Sequence, residues 1–314
     1  MRALCLGSAL SDARAMAFYR AESAMQDFLS GLIDRLADQG RPGLHEQISV
    51  NWVRYNKANL ATGSGCGAAW ADQKSVYPAS VAKLVYAVAV EAWLQKGFLL
   101  ETIELRRALN DMIAISSNDA TGLIVDLLTG TSSGPDLQGE AWMSWQRQRQ
   151  LVNEWLSDFG WGEFDRVNCC QKTWGDGPYG REKMFYGDNN SNRNALCTAA
   201  VSRLLEAVMT DGLLSPPACQ RLRSALDRSL DQKERRADPE NQVDGFLGEG
   251  LPENCRLWSK AGWMSEARHD AAWSVQPAGQ TQLLVVFSVG TERSNDNELL
   301  PIMAKELTGF QLDI

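Results

Sequence analysis

Tyr77-Pro78-Ala79-Ser80-Val81-Ala82-Lys83-Leu84 is the stretch on which the reading of this 314-residue chain turns. The residue before a proline avoids the helical region, so the chain comes into Pro78 extended. From Val81 to Leu94 helix formers and apolar side chains dominate, among them Ala82, Leu84, Ala87, Ala89, Glu91 and Ala92, and Lys96-Gly97 reads as a helix C-terminus. Ser80 therefore stands at the mouth of a helix that is apolar nearly all round, and such helices are buried. Residues i and i+3 share a helix face, which brings the Lys83 amine within reach of the Ser80 hydroxyl. Burial disfavours the charged form of a lysine. A neutral amine beside a hydroxyl is a base beside a nucleophile. Taken alone the stretch has plainer uses: serine commonly caps helices, and a core lysine can snorkel to water.

Working outward, the composition is that of an ordinary globular chain, with 44% hydrophobic and 22% charged residues. The net charge of −8 and the lack of a basic run with interleaved aromatics argue against nucleic acid as a partner. No stretch has the eighteen or so apolar residues of a membrane span. Met1 to Leu10 carries one arginine and a short apolar run, as a leader would, but no small-residue cleavage site follows, and export stays open. The seven cysteines, Cys5, Cys66, Cys169, Cys170, Cys197, Cys219 and Cys255, form no CxxC pair, so neither a zinc site nor any other metal is expected. The adjacent Cys169 and Cys170 read as two buried thiols. Two histidines, His45 and His269, leave little for a Ser-His-Asp scheme.

Apolar positions at helical spacing mark a helix over Ala21–Gln39. Strands follow at Ile48–Val53 and around Ala68-Ala69-Trp70. Beyond the Ser80 helix, further helices are expected over Leu105–Ala114, Ala120–Leu128, Glu140–Phe159, Thr198–Met209 and Pro216–Leu226. Gly160 to Asn194 reads as a long irregular loop, and loops of that length are usually functional. Asp231–Glu240 reads as a charged surface segment. Strands return at Cys255–Lys260, Ala271–Val275 and Gln282–Val289, and a helix over Asn297–Leu307 closes the chain. Strands at both ends with helices between predict an α+β fold, an antiparallel sheet made from both chain ends and flanked by helices, with a central all-helical part. On this reading residues 20–76 and 245–314 form one discontinuous α/β subdomain, 77–244 a mainly helical one, and 1–19 stand outside both.

Two further polar clusters accompany Ser80. Ser116-Ser117-Asn118 interrupts good helix patterning, where a hydroxyl could relay a proton and an amide could meet a carbonyl. Lys260-Ala261-Gly262 sits at the expected end of a strand, where a glycine permits close backbone approach to a ligand. The order Ser-x-x-Lys, Ser-x-Asn, Lys-x-Gly resembles the serine β-lactamase and penicillin-binding protein family, most closely its class A members, over most of the chain from Ala21 to the last helix.

That resemblance implies a β-lactamase/transpeptidase-like fold and a serine hydrolase that forms an acyl-enzyme. It implies Ser80 as nucleophile, Lys83 as the group that takes or relays its proton, Ser116 as proton donor to the leaving nitrogen, and Lys260 as the cation that tunes Ser116. Asn118, Ala261, Gly262, Trp263 and Arg268 or His269 would contact substrate, with the backbone N–H groups of Ser80 and Trp263 as the oxyanion hole. The substrate would be a β-lactam or a peptidoglycan-like peptide or ester, and no cofactor is implied. The family is usually exported. Ser117 replaces a typical aspartate, Ala261 a typical hydroxyl residue, and the 160–194 loop lacks the Glu-x-x-Leu-Asn signature that positions a hydrolytic water. Its acids are Glu163, Asp165, Asp176, Glu182 and Asp188, which ordinary patterning leaves in solvent. A DD-peptidase, an esterase, or a non-hydrolytic penicillin-binding or sensor protein on the same fold is the alternative.

Overall fold

The computed structural model describes residues 18–56 and 60–311. The leader-like Met1–Leu10 and Cys5 lie outside them. In chain order the elements are β1 (Arg20–Ala21), α1 (Ser23–Asp38), α2 (Leu44–Gln47), β2 (Ile48–Tyr55), β3 (Cys66–Trp70), α3 (Ala82–Gln95), α4 (Ile103–Ala114) and α5 (Asn118–Thr129). Then come α6 (Gly139–Arg149), α7 (Leu151–Ser157), α8 (Gly180–Tyr186), α9 (Thr198–Met209), α10 (Pro216–Leu226), β4 (Asp227–Arg228) and α11 (Gln232–Ala237). The chain ends on β5 (Arg256–Met264), β6 (Ala267–Val275), β7 (Thr281–Val289), α12 (Thr291–Ser294) and α13 (Leu299–Gly309).

The seven strands form one sheet in the order β1-β3-β2-β7-β6-β5-β4. The expected α+β class holds. The sheet is antiparallel except at its edge, where β1 runs parallel to β3. Its other edge, β4, comes from the helical stretch rather than from a chain end, and pairs Asp227 with Trp258 and Arg228 with Leu257.

Apolar side chains fill both faces. On one face α1 and α13 bury Met25, Leu29, Leu32, Ile33, Leu300 and Met303 against Trp52, Val286 and Leu284. The helical spacing of the α1 set is what gives that helix a single apolar stripe. On the other face α9 packs on β2, β6 and β7, and α3 packs in turn on α4, α5, α9 and α10. Every residue of α3 from Ala82 to Trp93 is buried, Lys83 and Glu91 included. Each large apolar side chain so placed contributes roughly 1.5–3 kcal/mol. The six described cysteines are all buried and unpaired. Among the described residues no helix is long and apolar enough to cross a membrane.

Four expectations are corrected. The helix over Glu140–Phe159 is two helices that turn at Gln150, where Arg149 swings inward onto Glu182 at 2.6 Å. The 160–194 stretch is not wholly irregular, since it carries α8. The charged Asp231–Glu240 segment includes α11, capped by Asp231, whose carboxylate accepts from the N–H groups of Lys233 and Glu234. Lys260-Ala261-Gly262 lies inside β5, because the strand runs on to Met264 opposite Ala267.

Candidate active site

The turn before α3 is forced into shape from two sides. His269, on β6, donates from Nε2 to the Tyr77 carbonyl at 2.9 Å and accepts the Ser288 N–H on Nδ1 at 3.1 Å. Ala79 then takes a left-handed conformation, φ 47°, unusual for a residue with a Cβ. Ala79, Ser80 and Val81 form a single 3-10 turn closed by Val81 N–H to the Pro78 carbonyl. From the other side Gly262 presses its backbone into the turn. A Cβ at Gly262 would stand 2.9 Å from the Pro78 oxygen and the Ser80 nitrogen and 3.0 Å from the Val81 nitrogen. The glycine thus serves the turn itself, where the sequence suggested a close ligand. Ser80 is left partly exposed at the wall of a cavity of about 500 Å³.

Ser116 is the second unusual backbone, with φ 56°, just ahead of α5. Such conformations cost about 1–3 kcal/mol and persist where surrounding structure imposes them. Ser117 carries the plain capping role, accepting the Ala120 N–H at 3.1 Å. That frees Ser116, whose hydroxyl lies 3.1 Å from Lys83 Nζ and 3.1 Å from Lys260 Nζ. Lys83 also donates to Asn118 Oδ1 at 2.8 Å and to the Ser116 carbonyl. Lys260 also donates to the Ala261 carbonyl at 2.7 Å and to Gln242 Oε1. Both lysines are fully buried, and among the described residues neither has an ion pair with a carboxylate within 4 Å. Burial pushes Lys83 down to about 7. It pushes Lys260 well below the ordinary lysine range, and the like charges of Lys83 and Arg228 push the same way.

Of the residues singled out from sequence, Ser80, Ser116, Ala261, Gly262, Trp263 and Arg268 line one cavity, and Lys83 and Lys260 meet at its Ser116 wall. Asn118 does not line the cavity, and its Oδ1 accepts from Lys83. Lys83 spends its three bonds on Ser116 and Asn118, and among the described residues none joins it to the Ser80 hydroxyl. The left-handed Ser116 brings both of its oxygens to that amine. Arg268 donates to the Ser294 and Gly245 carbonyls and stacks between Phe246 and Trp263, with its guanidinium at the cavity wall.

His269 does not belong with them. It is fully buried, both ring nitrogens are engaged, and burial holds it down at about 4. The folded chain keeps it neutral while the unfolded chain protonates it below 6.5, so stability is lost as pH falls through that window. Between pH 6.5 and pH 5 the loss is about 1.5 kcal/mol. Denaturant titrations should show that increment in the parent and not in His269→Gln; equal losses in both would reject this account.

Sequence reading missed the wall made by Ile115, Glu240, Asn241, Gln242, Asp244 and Phe246. It also missed Arg228, which donates to the Ile113 and Ala114 carbonyls at 2.8 and 2.9 Å and ties the end of α4 to β5 through the Ser259 carbonyl. No local pattern signals either. The loop acids are not all solvated. Glu163 pairs with Arg203, and Glu182 is buried with Arg149, Lys172 and Asp126 in one network. Asp165, Asp176 and Asp188 are exposed, and none of the five lines the Ser80 cavity.

A seven-stranded sheet, a helical layer and a Ser-x-x-Lys turn wedged against β5 define a protein of the β-lactamase/transpeptidase type. The β-lactamase enzyme family model matches residues 94–308, and the chain belongs to that family. Its fold is similar to that of PBP-A, at 16% identity and TM-score 0.60 over 92% of this chain and 96% of that one. A β-lactamase from Sphaerobacter thermophilus gives 16% identity and TM-score 0.59 over 89% and 94%. A class A β-lactamase from Bacteroides cellulosilyticus gives 16% and 0.59 over 90% and 95%. No curated protein matches.

Proposed function

We propose that this chain is a serine hydrolase that forms an acyl-enzyme at Ser80 with a β-lactam or a related amide or ester. One observation carries the reading: the Ser116 hydroxyl is held between two buried amines on the wall of the cavity that Ser80 lines. A hydroxyl has two acceptor sites and one proton. With both amines donating, the Ser116 proton is directed toward the cavity, where a leaving nitrogen would take it. Lys83, near 7, is substantially neutral at physiological pH. The neutral amine keeps two N–H donors, gives up one of its three contacts, and turns the lone pair so freed to Ser80 as the base. Lys260 and Arg268 supply positive potential for a substrate carboxylate. Asn118 Nδ2 and the N–H groups of Ser80 and Trp263 complete the proposed substrate contacts.

The fate of the adduct is the second part of the reading. The acids of the 160–194 loop are exposed or tied into ion pairs, and none lines the cavity. Without a placed base, hydrolysis of the acyl-enzyme loses about 10²–10⁴-fold. This favours a long-lived penicillin-binding adduct over rapid turnover. A variant of PBP-A, similar in fold, is an acyl-enzyme complex with penicillin G.

The test is incubation with a fluorescent penicillin followed by intact mass. The parent should gain one covalent adduct that persists well beyond its time of formation, and Ser80→Ala should gain none. Equal labelling of both chains would remove Ser80 from the chemistry, and rapid multiple turnover of nitrocefin would reject the slow-release part.

A further inference from the structure

Gln242 lies in a turn held by its neighbour Asn241. The Asn241 side chain accepts the N–H groups of Val243 and Asp244 and donates to the Asp238 carbonyl at 2.8 Å. The turn leaves the Gln242 amide between two elements. Nε2 donates to the Ala114 carbonyl at 2.8 Å and the Ile113 carbonyl at 3.3 Å, at the end of α4. Oε1 accepts from Lys260 Nζ on β5. Arg228 already satisfies the same two carbonyls, so the helix end is capped without Gln242. What the amide alone provides is a link from that end, two residues before Ser116, to the Lys260 amine.

We propose that Gln242 is a positioning residue for the Ser116–Lys260 pair, and that an amide rather than a carboxylate stands there so that Lys260 has an acceptor but no counter-ion. The proposal rests on the acyl-enzyme reading given above. The charged groups around Lys260 are Lys83 from α3, Arg228 from β4 and Asp270 from β6. Asp270 is buried and accepts the Leu247 N–H at 3.1 Å rather than an amine. A carboxylate in contact with Lys260 would screen the positive charge that repels Lys83 across Ser116, so that Lys83 would hold its proton to higher pH. An apolar group there would leave the Lys260 amine one acceptor short and free to leave Ser116.

The experiment follows the rate of Ser80 labelling by a fluorescent penicillin from pH 5 to pH 10 in the parent, Gln242→Glu, Gln242→Met and Ser80→Ala. In Gln242→Glu the acidic limb of the profile should move up by at least one pH unit, with labelling at pH 7 slower by about fivefold or more. In Gln242→Met the maximal labelling rate should fall at least tenfold at unchanged probe affinity, with no upward move of the limb. Parent-like profiles in both variants, or equal slowing of both with an unmoved limb, overturn the proposal. Should Gln242→Glu not fold, Gln242→Met decides: parent-like rates, or a loss confined to probe affinity, overturn it. An unlabelled parent is a separate result, which takes down the acyl-enzyme reading and this proposal with it.

Discussion

Replacing Lys83 by methionine should slow acylation of Ser80 by about 10²–10⁴-fold, the usual cost of losing a positioned base. The parent rate should fall tenfold per pH unit below about 7, because only the neutral amine accepts a proton and burial sets its titration there. That limb should vanish in Lys83→Met. The same substitution should raise stability at neutral pH. A lysine whose folded value lies below its unfolded one costs stability at every pH under the unfolded value, and regains it only as pH rises from 7 toward 10.5. Removing that cost, less the bonds to Ser116 and Asn118, should leave a gain of about 1–2 kcal/mol. A stabilised chain with no labelling would separate catalysis from folding at one residue. Undiminished labelling would mean that another group, Lys260 foremost, takes the Ser80 proton.

Gly262→Ala should be the most damaging single-methyl change in the site. The added carbon would meet three backbone atoms of the Ser80 turn at 2.9–3.0 Å, and backbone has no rotamer by which to retreat. Either β5 moves out or the turn does. Overpacking of this kind costs about 1–3 kcal/mol. The displacement of Ser80 from Ser116 should cost a further 10²-fold or so in labelling rate. Thermal unfolding and labelling kinetics on the same preparation read both. Parent-like labelling would show that the turn is not set by the strand.

Much of this was legible because its signals are local. Ser80 and Lys83 share one helix face, Ser116 and Asn118 sit at a break in patterning, and Lys260 lies two residues after Trp258 in a strand-patterned run. What was not legible depends on distant partners. Gln242 belongs to a polar segment that looks solvated, yet its amide ends on residues 113, 114 and 260. Glu182 reads as a loop acid, but Arg149 and Lys172 draw it inside. Strand β5 looked shorter than it is because a lysine and a glycine ordinarily signal an end, and here both are buried in its middle. Arg268 and His269 are neighbours on one strand, so alternation alone leaves open which of them faces the cavity. The contacts decide: His269 is turned onto the Tyr77 carbonyl and the Ser288 N–H, while Arg268 lines the cavity.

The sealed thiols give the molecule a built-in clock. Cys66, Cys169, Cys170, Cys197, Cys219 and Cys255 are spread from the sheet to the helical layer, and none is bonded to another. In a chain with Cys5 changed to serine, an alkylating reagent reaches the rest only as the surrounding layers come apart. The order in which they react would report which layer opens first, while penicillin labelling reads the proposed chemistry at Ser80 separately. One sample can then be read for integrity and for reactivity together.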